Sequence, residues 1–262
     1  MARSCNQTAV SGIKPAYLET TGHGKMMRTA SKCAALTALV ALLMAVPVQA
    51  SINKSIRIDA GETSDGASTV NGKIAVGAGA TVTGDVSSVN GSIRIDEGAT
   101  VAVVDTVNGG LHIADNVRSR GLSTVNGSIE VARDVIVDGE VSAVNGRIAL
   151  GGGSKVAKDL GNVNGDIELE GSEVGGDVTT VNGDVELADG AVIMGDLVVE
   201  EPSGWSIHKH TPKIIIGPGS RVEGVIRLER EVKLYISESA EVGGVEGEMS
   251  LDDAVRFSGK RP

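Results

Sequence analysis

The stretch Thr69-Val70-Asn71-Gly72-Lys73-Ile74 contains the motif Val-Asn-Gly, which occurs seven times in this chain. Successive copies are always 18 or 19 residues apart, and a further copy begins at Ile52, where Lys54 replaces the glycine. The seven asparagines are Asn71, Asn90, Asn108, Asn126, Asn145, Asn164 and Asn182. A fixed interval of this length indicates a repeat protein in which each copy forms one structural unit.

The apolar residues keep their places within each copy, as at Ile74, Val76, Ala80, Val82 and Val86. Their spacing is mostly two or four, which is the periodicity of strands and not of helices. Valine and isoleucine favour strands, while the intervening glycine, aspartate and asparagine residues favour bends. The pattern therefore predicts short strands separated by bends throughout the repeats.

Two all-β architectures are compatible with this pattern. In a β-solenoid each repeat forms one coil of about three short strands, and equivalent residues stack about 4.8 Å apart. In an antiparallel meander each Asn-Gly pair would form a type I′ hairpin turn. A meander needs a turn about every 8–12 residues, and no second turn signal recurs as faithfully as Asn-Gly. Stacked coils also favour identical residues at equivalent positions. The sequence therefore predicts a single-stranded parallel β-helix with 18–19 residues per coil.

The repeat pattern is interrupted once, by a polar segment that contains two prolines. After it, Lys213-Ile214-Ile215-Ile216-Gly217-Pro218-Gly219 follows Lys73-Ile74-Ala75-Val76-Gly77-Ala78-Gly79 step for step, so the solenoid resumes. The predicted boundaries are solenoid coils at 51–199, an extruded loop at 200–213, C-terminal coils at 214–250, and a tail or cap at 251–262.

The first fifty residues have the features of an export signal. A basic segment precedes the apolar run Cys33–Ala50, which ends in the small-residue pattern Val48-Gln49-Ala50. We predict a signal peptide at residues 26–50, cut after Ala50, behind an upstream extension at residues 1–25 that a misassigned translation start would explain. An uncleaved membrane anchor is the alternative, because the apolar run approaches spanning length. Cleavage would yield a periplasmic or extracellular protein without a membrane span.

The mature chain is strongly acidic. Five of the 24 Lys and Arg residues and one of the 34 Asp and Glu residues lie in residues 1–50, which leaves a net charge of −14. This charge argues against nucleic acid and anionic membranes as partners. Both cysteines, Cys5 and Cys33, precede the predicted cleavage site, so the mature chain has no disulfide framework.

Two parts of the repeat resemble known bacterial proteins. The pattern GAxVxGDV, present at Gly79–Val86 and again at Gly190–Leu197, is similar to coils of the bactofilins, the polymer-forming bacterial cytoskeletal proteins. The VNGxIxV half resembles repeats of uncharacterised bacterial envelope proteins described as adhesins. The resemblance covers residues 52–250. It implies a right-handed, three-sided β-helix that polymerises end to end without nucleotide and has no catalytic residues.

The export signal distinguishes this chain from the bactofilins, which work mainly from the cytoplasm. Together the signal and the repeats predict a non-enzymatic solenoid with a structural or assembly role in the bacterial cell envelope. The expected partners are further copies of the chain, associated end to end, or another envelope component. The alternative is a surface-binding or adhesin-like module. No cofactor, metal ion or catalytic group is expected.

The Val-Asn-Gly motif itself suggests the first candidate site. If Val70 points into the core, the flanking Thr69 and Asn71 point outward, and their equivalents form a polar stripe with two lanes. The structural interpretation is a ladder of hydrogen-bonded asparagine amides, with Gly72 allowing a corner of positive φ. The functional interpretation is a flat face that binds a repeating surface such as ice, glycan or a mineral.

The second candidate site is the extruded loop. Trp205 is one of few aromatic residues in the mature chain, and His208 and His210 lie close to it in sequence. Two histidines without a third ligand do not define a zinc site. We therefore interpret Trp205, His208 and His210 as possible partner contacts, with Trp205 either fixing the loop to the solenoid or anchoring a partner.

Overall fold

The computed structural model describes residues 53–202 and 210–262, which wind into a parallel β-solenoid of about 10 turns. In the first half the strands are β1 Ile56–Ile58, β2 Thr63–Ser64, β3 Ala67–Asn71, β4 Ile74–Val76, β5 Thr81–Val82, β6 Val86–Asn90, β7 Ile93–Ile95, β8 Thr100–Asn108, β9 Leu111–Ile113, β10 Arg118–Asn126, β11 Ile129–Val131, β12 Ile136–Val137, β13 Val141–Asn145 and β14 Ile148–Leu150. The predicted fold class is confirmed.

The second half continues the same winding. Its strands are β15 Lys155–Val156, β16 Leu160–Asn164, β17 Ile167–Glu170, β18 Glu173–Val174, β19 Val178–Thr180, β20 Val185–Ala188, β21 Val192–Ile193, β22 Leu197–Val199, β23 Lys213–Ile216, β24 Arg221–Val222, β25 Ile226–Leu228, β26 Lys233–Ser237, β27 Glu241–Val242, β28 Val245–Gly247 and β29 Val255–Phe257. A short 3-10 helix, Leu251–Asp253, precedes β29. No helix in the described ranges is long and apolar enough to cross a bilayer.

Each coil contributes a strand to each of three sides. The first side is an 11-stranded sheet that runs from β1 to β29, so its length at strand spacing is about 48 Å. The second side consists of two-residue strands such as β2 and β5, and the third side of longer strands such as β3 and β6. The register places equivalent residues beside each other, as with Asn71 and Asn90.

Two of the 18-residue coils differ from the 19-residue coils between the second and third sides. Three residues, Thr83 to Asp85, separate β5 from β6, whereas only Ala102 and Val103 occupy the corresponding place in β8. In β8 and β10 the strands of the two sides are continuous over nine residues.

The core is a stack of like aliphatic residues. On the first side Ile93, Leu111, Ile129 and Ile148 lie in adjacent strands and are fully buried. Because each side chain packs on its own copy in the next coil, β-branched and leucine side chains fill the interior without aromatic residues. The C-terminal Phe257 is buried in β29 but lies beside Ser237 of β26, whereas Arg256 lies beside the core residue Ile236.

The corner that follows the first side is the one with left-handed backbone. Its residues have φ near +60° to +75°, and they include Gly79, Gly98, Asn116, Asp134 and Gly153. Glycine, asparagine and aspartate are the residue types that tolerate this conformation. The prediction that Gly72 allows a corner of positive φ is not met by its backbone, since of the Val-Asn-Gly glycines only Gly165 has positive φ.

Candidate functional site: the asparagine corner and the third side

The seven asparagines form one continuous line along the corner between the third and first sides. Each donates a hydrogen bond from Nδ2 to Oδ1 of the asparagine one coil earlier, with distances from 2.8 to 3.0 Å for Asn90 through Asn182. We call this line the asparagine ladder. The structure thus brings together all seven residues that the repeat singles out.

The ladder extends beyond the seven repeats at both ends. At its N-terminal end Asn71 donates to Oδ1 of Asn53, at 2.6 Å. At its C-terminal end Oδ1 of Asn182 accepts a hydrogen bond from Nη1 of Arg230, at 3.1 Å. All amide oxygens point toward the C-terminal end, so the aligned amide dipoles place partial negative charge there, where the guanidinium lies.

The register explains why Arg230 is in this position. Thr180 pairs with Val199, and Val199 pairs with Leu228. Arg230 follows Leu228 by two residues, as Asn182 follows Thr180, so Arg230 occupies the asparagine position two coils further on. The intervening coil has the inserted loop at this corner. The long arginine side chain spans the missing rung, which a second asparagine could not do.

Arg230 also holds the root of the inserted loop. Its Nη1 donates to the carbonyl oxygen of Val181 at 3.1 Å, and its Nη2 donates to the carbonyl oxygen of His210. Nε2 of His210 lies 3.0 Å from Oδ1 of Asp184, which also accepts the Lys213 N–H. His210 therefore joins the loop to the solenoid, while Trp205 and His208 lie outside the described residues.

The structure reverses the predicted orientation of the motif's threonine and valine. Thr69 is 2% exposed and points inward, whereas Val70 is half-buried on the outer surface. The equivalent inward residues are Ser88, Thr106, Thr124, Ala143, Asn162 and Thr180, and all are buried. The prediction that Val70 fills the core is wrong, and so is the prediction of an outward threonine lane.

The inward hydroxyls are satisfied by the corner itself. Ser88, Thr106 and Thr124 donate to the carbonyl oxygens of Gly72, Gly91 and Gly109, at 3.1–3.2 Å. Where asparagine replaces threonine, at position 162, its Nδ2 donates to two glycine carbonyls, those of Gly146 and Gly165. A polar residue is tolerated in this row because each coil presents a carbonyl to the next.

Close approach of the coils explains the glycine of the motif. A Cβ atom at Gly127 would lie 2.0 Å from the carbonyl oxygen of Gly109, and one at Gly146 would lie 1.9 Å from that of Gly127. The glycine N–H also donates to the next coil, as from Gly127 to the Asn145 carbonyl at 3.0 Å. At this corner the glycine backbones of successive coils are in direct contact, so a side chain does not fit between them.

The outer surface of the third side carries two lanes next to the asparagine ladder, and we call these two lanes the neutral face. The valine lane is Val70, Val89, Val107, Val125, Val144, Val163 and Val181. The polar lane is Ser68, Ser87, Asp105, Ser123, Ser142, Gly161 and Thr179. Asp105 is the single charged residue among these fourteen positions.

Asp105 lies in unusual surroundings for a surface carboxylate. Burial raises its pKa above the ordinary aspartate value, a hydrogen bond from the Ser123 hydroxyl partly offsets this, and the nearby negative charge of Asp85 adds to the rise. The carboxylate form is therefore less stable in the folded protein than in the unfolded chain. Ionisation is therefore unfavourable even for Asp105, the one charged residue of the neutral face.

This raised pKa predicts a pH-dependent effect of the Asp105→Asn variant. Because the folded protein binds the proton more tightly, ionisation of Asp105 lowers stability as pH rises from about 3.8 through the raised pKa. The amide cannot ionise and still accepts from Ser123. We expect Asp105→Asn to raise the urea midpoint at pH 7 and to have little effect at pH 3.

Asp115 provides a control of opposite sign. Hydrogen bonds from the backbone N–H and the guanidinium of Arg133 lower the pKa of Asp115. The ionised Asp115 stabilises the folded protein at pH values above the pKa that Asp115 has in the unfolded chain. This stabilisation is lost as pH falls through the lower pKa of Asp115 in the folded protein. Asp115→Asn should therefore lower the urea midpoint at pH 7. If both variants shift the midpoint in the same direction, the environment inferred for Asp105 is wrong.

Within the described ranges, no three His, Cys, Asp or Glu side chains are grouped closely enough to hold a metal ion. No known protein family, curated protein or solved structure matches this chain. The site is therefore defined by its geometry. Sequence reasoning missed Arg230 and the neutral face, although counting the register through the insertion could have found Arg230.

Proposed function

We propose that this protein is a non-enzymatic, exported structural element of the bacterial cell envelope that assembles end to end. The observation that supports this proposal is that the strands of the first and last coils each have one unpaired edge. At the N-terminal end β1, β2 and β3 each pair with only one strand among the described residues. At the C-terminal end β27, β28 and β29 do the same, again one strand per side.

Both ends present unpaired parallel strand edges, but the C-terminal end has one strand more on the first side, because β29 follows β28 and pairs with β26. β1 of one copy can therefore continue the first-side ladder of another copy at β29. β2 and β3 can pair with β27 and β28 only if β1 takes the place of β29 beside β26. Unpaired edges of this kind template strand addition. Head-to-tail contact of unlike surfaces does not close on itself, so it produces a filament. The segment predicted as a tail or cap contains β29, which extends the first side by one strand beyond the other two sides.

Arg57 offers a specific test of this assembly. The N–H of Ile56 donates to Lys73, and the carbonyl of Ile58 accepts from Gly77, so these residues face β4. Alternate residues of a parallel strand bond to opposite neighbours, and the Arg57 N–H therefore faces the open edge. We expect Arg57→Pro, which removes this N–H, to abolish filaments in negative-stain electron micrographs while the circular dichroism spectrum is unchanged.

Arg57→Ala is the matched control, since it removes the same side chain and keeps the N–H. Filaments should persist in this variant. Dispersed single rods in the unmodified protein, or filaments of normal length in Arg57→Pro, would contradict end-to-end assembly through this edge.

A surface-binding, adhesin-like module is the alternative function. Its support is the anchoring of the inserted loop, whose His210 is tied to Asp184 and Arg230. Trp205, in the same loop, is the residue predicted to contact a partner. Glycan binding by a monomeric protein, lost in Trp205→Ala, would favour this alternative over assembly.

A further inference from the structure

Charge is distributed unevenly over the sides of the solenoid. The outward positions of the first side include Arg57, Arg94, Glu130, Glu168 and Glu186. The neutral face has only Asp105 over seven coils. In a chain with a net charge of −10, a face that has a single charge over seven coils and carries a row of valines is typical of a contact surface.

The spacing of the neutral face restricts what can cover it. Its valines repeat at the strand separation, about 4.8 Å, over seven coils. A partner with a different repeat would lose register over this length of about 30 Å. A second copy of this chain has the same repeat by construction, so every valine meets an equivalent position. Stacked identical side chains can then interdigitate between two sheets, as in a dry sheet-to-sheet interface.

The available area indicates a weak association. Seven coils at about 4.8 Å and a face width of about 15 Å give roughly 500 Å² per copy, or roughly 1,000 Å² for a pair. This area is at the lower limit of specific interfaces. Pairing over so small an area would depend on concentration or on linkage of copies within a filament.

The orientation of the pair follows from an acidic column along one edge of the neutral face. Asp85, Glu140, Asp159 and Asp177 precede the third-side strands of four of the seven coils and lie at this edge, whereas Gly66, Val103 and Gly121 take this position in the other three. If two copies were antiparallel and centred on Val125, Asp85 of one copy would lie opposite Asp159 of the other. With the rods parallel and a two-fold axis along them, the valine lanes meet, and the acidic columns lie at opposite edges.

We propose that the neutral face is a lateral self-association surface, on which two copies pack side by side with their rods parallel. This pairing deepens the proposed structural role, because it would join single filaments into double ones. It uses a surface separate from the terminal edges, so each contact can be tested while the other is blocked.

The first test measures dimerisation in the Arg57→Pro background, where the N-terminal edge is blocked. Sedimentation velocity between about 1 and 300 μM should show a reversible dimer. Val125→Asp, at the centre of the valine lane, should weaken dimerisation at least tenfold, because two carboxylates would meet at the two-fold axis. Ile136→Asp is the matched control, since Ile136 is 39% exposed on the second side, and it should dimerise normally.

The second test determines the orientation with a short bis-maleimide in a Cys5→Ser, Cys33→Ser background. In parallel rods Val89 lies opposite Val89 of the second copy, whereas in antiparallel rods it lies opposite Val163. Val89→Cys protein should therefore cross-link to itself. A mixture of Val89→Cys and Val163→Cys proteins should yield only the two homodimers.

The outcomes separate the two proposals. A monomer at every concentration, or equal weakening by Val125→Asp and Ile136→Asp, would overturn the lateral surface and leave end-to-end assembly untouched. Mixed Val89–Val163 cross-links would overturn the parallel arrangement. A dimer without filaments in the unmodified protein would overturn the proposed assembly alone. Thin single filaments of Val125→Asp, beside paired filaments of the unmodified protein, would support both.

Discussion

A Gly127→Ala variant is expected to lose about 3 kcal/mol or more of unfolding free energy. The added Cβ would lie 2.0 Å from the carbonyl oxygen of Gly109 and 2.5 Å from its carbonyl carbon. These are backbone atoms, so no side-chain rotation relieves the clash. The same Gly109 oxygen accepts the Thr124 hydroxyl, and the Gly109 N–H donates to the Asn126 carbonyl. Relief therefore requires two coils to move apart and disrupts bonds on both.

Gly161→Ala is the control for this prediction. Gly161 lies on the third side in β16, and a Cβ there would have no atom within 4 Å. Alanine in this strand should be neutral or stabilise the protein by about 0.5 kcal/mol through lower entropy of the unfolded chain. Urea midpoints measured by circular dichroism compare the two variants. A Gly127→Ala midpoint close to that of Gly161→Ala would mean that the corner has more room than described.

The fold could be predicted from sequence because a solenoid repeats its constraints. Every residue packs on its own copy, so the period of 18–19 residues appears directly as repeated identity. The asparagine ladder followed from the same logic, since equivalent residues in register must lie side by side. Both features depend only on the interval between copies and not on the detailed path of the chain within a coil.

The orientation of the motif could not be read from the same pattern. Within one strand, side chains alternate between inward and outward, so one known residue fixes the direction of the others. This alternation does not continue across a corner. Counting back from the buried Ile74 passes through the Asn-Gly corner and places Val70 inward. Counting forward from the buried Ala67 stays within β3 and correctly places Thr69 inward and Val70 outward. The second count was available from the sequence, but it required knowledge of where the strand ends.

The role of Arg230 was hidden for a different reason. It contacts Asn182, 48 residues earlier in the chain, across a coil whose corner is replaced by the insertion. Local motifs contain no information about such a contact. It becomes visible when the register is counted through the insertion, as the pairing of β19 with β22 and of β22 with β25 shows.

A Thr124→Asp variant should likewise lose about 3 kcal/mol or more at neutral pH. Thr124 is 1% exposed, and its hydroxyl donates to the Gly109 carbonyl at 3.1 Å. A carboxylate in this place is desolvated and faces a carbonyl oxygen to which it cannot donate. Since a protonated carboxyl group can donate and burial raises its pKa, the loss should become smaller as pH falls through the raised pKa toward about 4, the ordinary aspartate value in the unfolded chain. Thermal and urea unfolding at pH 7 and pH 3.5 would measure both effects.

Comparison with the adjacent Val125→Asp variant tests the inward orientation of Thr124 and of the equivalent residues in the other coils. The substituted group is the same and the strand is the same, but Val125 is half-exposed on the outer surface, so a change within about 1 kcal/mol is expected. If Val125→Asp lowers the unfolding free energy more than Thr124→Asp does, valine and not threonine is the inward residue. Because Thr124 is in register with Thr106 and Ala143, the order of the two effects fixes which residue of every repeat is buried. It also fixes whether valines or threonines are available on the neutral face.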